Sequence, residues 1–543
     1  MSTQRAIPRP IGESMTVRQK FILLNALMLC MFVAALDQAI MATATPRIAA
    51  DLGGYHLLPW VFTAYLLAST VVVSVVGKLS DMFGRKLFML IGIVVFVAGS
   101  VWCGFAPSMF ALIMARTVQG AGGGIIFSCV FATLGDLFTP IERVRYVGYF
   151  TSTFTISSLT GPAIGGFLTD GPGWRWCFFV NVPVGLLALA LVWQLMPSVR
   201  RGGRLSEIDF LGAALLAIST TSFMLGLLWA QQAYGWTAPQ TLGLLAVAVV
   251  LGVAFVIQER RHPEAILPLF LFKNRQFVQA NLIVMAVGGG IFASVQFLPT
   301  FLQISLGTSA KLSGLLLTPQ SIGVLITSTI GGQLVARTGR YKRQVVIGAT
   351  GVLLGTAGML TLGVGSTPYV VAVYMATIGL GLGLVLPLMA TLIQNAVPQE
   401  LMGVASSSRQ FFMSIASVFG VAVLGLVFTS GYVSSFRPVP GLQEALPPAI
   451  YEEFLDPTLA LDVNRFPRVR EELLRLPDGQ ALLDRAVQAL RESEARATHR
   501  LLLGTTFIAA LLWIFVVTLR EVPLRRSFGS ATEEEPVLPT VDH

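Results

Sequence analysis

Charge is scarce in this sequence. Asp, Glu, Lys and Arg make up 12% of the 543 residues, where a soluble domain carries roughly a quarter, so most of the chain cannot present a water-facing surface. Cysteine is rarer still. Cys30, Cys103, Cys129 and Cys177 lie in or beside apolar stretches with no C-x-x-C pairing, a spacing that gives neither a zinc site nor a disulfide framework. The four histidines, His56, His262, His499 and His543, form no H-E-x-x-H pattern, which leaves a metalloenzyme without its signature. No G-x-x-x-x-G-K-[ST] segment occurs, so the phosphate-cradling loop of a built-in ATPase is excluded. No metal, no cofactor and no enzymatic activity is expected.

What the chain has instead is apolar length. Hydrophobic residues reach 54% and the mean hydropathy is +0.73. A helix rising 1.5 Å per residue needs about 20 such residues to cross ~30 Å of hydrocarbon. Blocks of that kind fall at 20–42, 60–77, 87–105, 109–131, 144–168, 178–196, 208–230, 240–258, 277–304, 313–336, 344–364, 369–393, 403–430 and 499–519. The first of these is expected to be a retained helix and not a cleaved signal peptide.

The formal charge of +9 invites a nucleic-acid reading, and the placement of the cations removes it. They sit in short links between apolar blocks: Lys78, Arg85 and Lys86; Arg143 and Arg145; Arg200, Arg201 and Arg204; Arg260, Arg261, Lys273 and Arg275; Arg337, Arg340, Lys342 and Arg343. With the tails, one side of the membrane collects about 23 cations, against about three (Arg47, Arg175, Lys311) in the opposite short loops. An even number of spans and this asymmetry predict that both termini are cytoplasmic in a plasma (inner) membrane protein.

The organisation expected from these blocks starts with a cytoplasmic tail at 1–19 and a six-helix bundle at 20–200. Two inserted membrane helices at 201–260 and a cytoplasmic linker at 261–276 follow. The first five helices of a second bundle take 277–430, and the last helix takes 499–520 before a cytoplasmic tail at 521–543. Between them, 431–498 is a long polar insert on the outside, Pro-rich over Arg437–Pro448. Charged Leu-rich stretches at Val469–Leu476 and Gly479–Arg496 have helical spacing with interleaved Glu and Arg. A small external helical hairpin leading into the final span is expected.

An internal repeat points to mechanism. Gly77-Lys-Leu-Ser-Asp-Met-Phe-Gly-Arg-Lys86 returns imperfectly from Gly332 to Lys342, with Gly77, Leu79, Gly84 and Arg85 falling on Gly332, Leu334, Gly339 and Arg340. Related halves with a binding site between them mark alternating-access carriers. The first copy resembles the signature loop of the major facilitator superfamily. Arg116-Thr-Val-Gln-Gly120 resembles its R-x-x-x-G motif, and Gly161, Pro162, Gly165 and Gly166 resemble the G-P-x-x-G-G motif of its proton-coupled drug exporters. Leu36-Asp-Gln-Ala-Ile40, Trp60-Val-Phe-Thr-Ala-Tyr65, Trp174–Pro183 and Ser408-Arg-Gln410 followed by Gly420-Val-Ala-Val423 are similar to its fourteen-spanner drug:proton antiporter branch. The resemblance implies an all-α integral membrane protein with the major facilitator fold: two six-helix bundles plus two extra central transmembrane helices, 14 in total.

Single charges inside apolar blocks carry the rest. An ionised carboxylate at membrane depth costs about 2.5–3.5 kcal/mol, so Asp37 either pairs, faces a water-filled cavity, carries a proton, or anchors a helix end at the interface. Arg116, deep in the fourth block, either couples to Asp37 or fixes helix orientation through backbone carbonyls. Asp81, Arg85 and Lys86, with Gly77, Gly84 and Asp136, are expected to form a charged cytoplasmic latch. Glu142 and Arg143 are further partners or simple helix caps, and Ala336 takes the Asp81 position in the second copy. Pro162 and its glycines predict a kinked, tightly packed fifth span. Arg409 either faces a central cavity or snorkels to the membrane surface. Phe62, Tyr65, Gln296, Phe297, Gln303, Gln320 and Phe411 are candidate substrate contacts or ordinary packing residues.

These readings converge on a proton-coupled antiporter exporting lipophilic drugs or other amphiphiles, monomeric, with protons, a lipophilic small molecule and the lipid bilayer as its partners. The neutral-to-basic stretch Gly403–Arg409 argues for a monocationic, zwitterionic or neutral substrate over a dication. A lipid or siderophore exporter and a proton symporter of the same fold are the alternatives.

Overall fold

With no water at bilayer depth, each backbone N–H and C=O must be satisfied within its own segment, and every regular element among the described residues is helical. The computed structural model describes residues 11–54, 57–199, 204–232, 234–462 and 465–524. The expectations for Arg200 and Arg201 and for most of both tails lie outside them.

The long helices are α1 (Val17–Leu52), α2 (Leu58–Phe83), α3 (Arg85–Gly104), α4 (Met109–Leu137), α5 (Pro140–Asp170), α6 (Trp176–Leu195) and α7 (Phe210–Gln232). They continue with α8 (Pro239–Arg261), α9 (Arg275–Ile304), α10 (Ala310–Thr338), α11 (Lys342–Met359), α12 (Pro368–Asn395), α13 (Met402–Phe436) and α14 (Gly479–Thr518). Twelve of these are long and apolar enough to cross a membrane. The expected fourteen is not reached on that measure, because α5 and α11 are too polar. Hydroxyls run from Thr151 to Thr160 in α5, and α11 starts on Lys342 and Arg343.

The helices α1–α6 pack into one bundle, with α4 against α2 and α3, and α1 against α5 and α6. A second bundle is built from α9–α14, with α12 against α10 and α11, and α14 against α13 and α11. The bundles meet where α2 and α4 touch α13 and where α5 touches α10 and α12. The pair α7 and α8 pack on each other, and α7 rests on α2 and α13. The basal end of the molecule is where α1 begins and α2 finishes; the insert lies at the distal end. Along α9, residues Val287–Phe292 widen into a π-helical stretch, a feature often found at functional sites.

The insert carries helices over both expected arms, Arg465–Leu474 and the start of α14, joined by a turn at Asp478 and in contact with each other. Its short helices are Leu442–Ala445, Pro448–Phe454 and Arg465–Leu474. The second arm, Gly479–Arg496, starts after a left-handed Asp478 and abuts the end of the first arm at Leu473 and Leu474. It runs without a break into the last span, making α14 a 40-residue helix of about 60 Å. Phe454 is fully buried, its ring 6.1 Å from Phe436 and nearly parallel to it, while the Tyr432 hydroxyl donates to the Phe454 carbonyl at 2.8 Å. The insert therefore shares a continuous core with the second bundle.

Candidate functional site

Asp37 and Arg116 meet. A charge in a low-dielectric interior must find its counter-charge or a set of dipoles, and both side chains are 1% exposed with Arg116 Nη1 2.6 Å from Asp37 Oδ2. The other carboxylate oxygen accepts from Gln119 Nε2 at 2.8 Å and Asn181 Nδ2 at 2.7 Å. Gln119 also accepts from Arg116 Nη1 at 2.7 Å and donates to Ser100 at 2.8 Å. The Arg116 guanidinium lies 4.4 Å from the centroid of Tyr65 and donates through Nε to the Val61 carbonyl. Residues from α1, α2, α3, α4 and α6 thus close around one carboxylate. Gln119 and Asn181 stand inside motifs visible in the sequence, yet nothing about an amide in a helix announces that it serves a buried acid.

The basal charges form a second cluster. Arg85 reaches both Asp81 and Asp136, the latter at 3.0 Å, and donates to Ser80 at 2.7 Å. Asp81 also accepts from the backbone N–H groups of Gly403 at 3.0 Å and Val404 at 2.9 Å. Those are orphan donors in the first turn of α13, where a helix favours negative charge. Asp136 accepts from Gln399 at 2.9 Å. Arg143 is fully buried and donates to Gln394 at 3.0 Å and to the carbonyls of Gly135 and Phe138. Gln394 in turn donates to the Phe131 carbonyl at 2.9 Å. The cluster ties the first bundle to the second. Gly77 makes the contact close: a Cβ there would collide with Ser407 Oγ and sit 2.7 Å from the Gly403 carbonyl oxygen.

One basal expectation is corrected, and Glu142, which the sequence leaves open between partner and cap, is a cap. Lys86 is not part of the cluster; its ammonium donates to the Trp193 carbonyl at 2.7 Å, meeting an orphan acceptor in the last turn of α6. Glu142 bonds the Thr139 backbone N–H as half of a capping box and makes no latch contact. Gly84 ends α2 at φ 103°. In the second copy, Glu521 accepts from the backbone N–H of Tyr341 at 3.1 Å, at the start of α11.

The glycine motif of α5 divides between two faces. A Cβ at Gly161 would collide with that of Ala39, and one at Gly165 would lie 2.9 Å from the Ile40 carbonyl, so these two let α5 lie directly on α1 beside Asp37. Gly166 has open space around it, and Pro162 faces outward within a continuous helix.

Between the bundles lies a cavity of about 380 Å³. Of the eight candidate substrate contacts, only Arg409 lines it. Tyr65 is 3% exposed beneath Arg116, and Phe411 is buried with Leu216, Phe255 and Ile266 against α7 and α8. Phe297 packs on Phe428 at 5.5 Å, and the Gln320 backbone abuts Gly379. Phe62 and Gln296 are exposed and Gln303 is half-buried, all three away from the cavity. The sequence passed over Gln38, Thr70, Phe131, Phe154, Phe292 and Gln410, which line it. Gln38 is adjacent to Asp37, so α1 presents the acid to the bundle interior and the amide to the cavity.

The profile of the Major Facilitator Superfamily matches residues 27–421. The chain is 39% identical over 434 residues to "Multidrug transporter protein MdtP" of Bacillus subtilis (strain 168), covering 79% of each protein. It is 34% identical to "Multidrug resistance protein 3" of the same organism, over 77% of this chain and 81% of that one. Among solved structures, the proton:xylose symporter XylE shares the fold at a TM-score of 0.56 and 16% identity, over 77% of this chain and 90% of that one. Apolar helices, paired bundles with a cavity between them and a profile spanning most of the sequence agree: this chain is a multi-pass membrane transporter, not an enzyme, and belongs to the Major Facilitator Superfamily.

Proposed function

We propose that the chain is a proton-coupled antiporter that exports lipophilic drugs or other amphiphiles across the plasma membrane by alternating access. On this reading it works as a monomer, with all fourteen long helices spanning and the basal end in the cytoplasm. The observation that carries the reading is Asp37, a carboxylate buried in the first bundle whose neighbour along α1 reaches the central cavity.

A proton arriving at Asp37 weakens its pull on Arg116. Asn181 Oδ1 has no hydrogen-bond partner among the described residues, so rotation of that amide supplies the acceptor a protonated carboxyl needs. Strain released around α1 passes to α5 through the Gly161–Gly165 contact, and α5 carries it to the second bundle. The basal cluster of Asp81, Arg85 and Asp136 is the gate: its bonds to α13 hold the cytoplasmic side shut and must break for the cavity to open inward. The driving force is adequate, since one proton crossing 100 mV releases ~2.3 kcal/mol and each pH unit adds ~1.4 kcal/mol. The names of the relatives support export of drug-like molecules.

The test is accumulation of a lipophilic substrate in proteoliposomes under an imposed pH gradient. Wild type should concentrate it and Asp37→Asn should not. Undiminished gradient-driven accumulation by the variant would remove Asp37 from the mechanism.

A further inference from the structure

Among the described residues, the central cavity is lined by one ionised side chain and no acid to match it. Arg409, two turns into α13, is 7% exposed, and its guanidinium stacks 4.5 Å from the ring centroid of Phe131. Among the described residues it has neither a salt bridge nor a hydrogen bond, and no Asp or Glu lines the cavity. The nearby carboxylates are already taken: Asp37 by Arg116, Gln119 and Asn181, and Asp81 and Asp136 by Arg85.

The other buried arginines make the contrast. Arg85, Arg116 and Arg143 are each at most 2% exposed, and each has carboxylate, amide or carbonyl acceptors in place. An arginine at membrane depth pairs or faces a cavity, and a guanidinium does not lose its proton to escape the cost. Arg409 is thus a fixed positive charge whose missing partner must come from the cavity itself. The same feature works against a cationic substrate. A lipophilic cation entering here would meet a like charge, and the Phe131 face that could have received it by cation–π contact is occupied by Arg409.

We propose that the transported substrate is a lipophilic organic anion, with a carboxylate, sulfonate or phenolate head paired to Arg409. Its apolar body lies against Phe154, Phe292 and Leu66, which line the same cavity. The guanidinium fork suits planar, two-point recognition of such a head, and about 380 Å³ is in the range of small-molecule sites. This inference rests on the export reading and narrows it, replacing the monocationic, zwitterionic or neutral substrate expected from the sequence. It also makes transport electrogenic in one sense: an anion leaving and a proton entering both move with an inside-negative potential.

Three probes on one skeleton test it: a naphthyl-alkyl carboxylate, its methyl ester and the corresponding primary amine. Their binding to the full chain is measured in lipid nanodiscs. The carboxylate should bind tightest. Arg409→Gln should weaken it at least tenfold, about 1.4 kcal/mol, with a far smaller effect on the ester, and Arg409→Lys should restore part of the loss. Phe411→Ala, off the cavity, should keep all three affinities. The proposal is overturned if the amine binds tightest, or if the carboxylate binds no better than the ester in wild type, a ranking that decides even where a variant fails to fold. It is also overturned if a folded Arg409→Gln binds the carboxylate normally. Flux of the same probes under a pH gradient is the separate arm. Carboxylate binding without gradient-driven flux contradicts proton coupling and leaves the charge selectivity standing.

Discussion

Replacing Asp81 by Asn leaves the shape of the basal cluster and removes its negative charge. Asp81 accepts from two first-turn amides of α13, at 3.0 and 2.9 Å, and pairs with Arg85. All of this is buried, with the side chain 4% exposed, so solvent does little to replace it. Hydrogen bonds to a charged partner contribute about 1.5–3 kcal/mol, and Arg85 keeps Asp136 after the change. The net loss from the basally closed state is then about 2 kcal/mol, which shifts the closed-to-open ratio roughly thirtyfold. A tenfold preference for closed becomes a roughly threefold preference for open. Spin labels at positions 145 and 340, exposed near the basal ends of α5 and α10, report the separation by pulsed electron resonance; the four native cysteines are buried. The variant should populate a longer distance than wild type. An unchanged distance distribution would refute the claim that the Asp81 contacts hold the bundles together.

Gly77→Val should act on the same equilibrium more severely, since its added atoms collide with Ser407 and the Gly403 backbone. Transport should fall at least tenfold and the 145–340 distance should lengthen, with Ser407→Gly recovering only part because the backbone clash remains; wild-type transport by Gly77→Val would contradict the close approach. In the insert, Phe454→Ala removes a fully buried ring from between Phe436 and its neighbours. It should cost about 3–5 kcal/mol and open 437–478 to limited proteolysis from the distal side, whereas wild-type protection would mean the insert does not depend on that core.

The spans were legible because hydrocarbon leaves a chain few choices, and an apolar run of the right length is the whole signal. The polar pair α5 and α11 was legible too, as the blocks at 144–168 and 344–364; α5 tolerates its hydroxyls because Ser152 turns to α10 and Ser157 to α1. Asp37 and Arg116 could be named, since isolated charges in apolar runs must meet something. Their supporting amides could not, because Gln119 and Asn181 look like any helix residue until tertiary packing turns them toward the acid. Asp81 and Arg85 were legible as a pair, but the other partners of Asp81 were not, being two backbone N–H groups more than 300 positions away. Substrate contacts failed most. At 100° per residue, composition does not say which face of a helix looks inward, and Phe411 turned toward α7 and α8 while its neighbour two positions back lines the cavity. Lys86 followed its stem to the end of α6, where an unpaired carbonyl was closer than any acid.

Coupling through Asp37 predicts a separation that no general defect would produce. In proteoliposomes, Asp37→Asn should still exchange labelled for unlabelled substrate with no pH gradient present, because exchange needs only a working cavity and gate. It should lose accumulation driven by the gradient. Loss of both activities in a folded variant, or gradient-driven accumulation at the wild-type level, would contradict the assignment of the proton to this carboxylate.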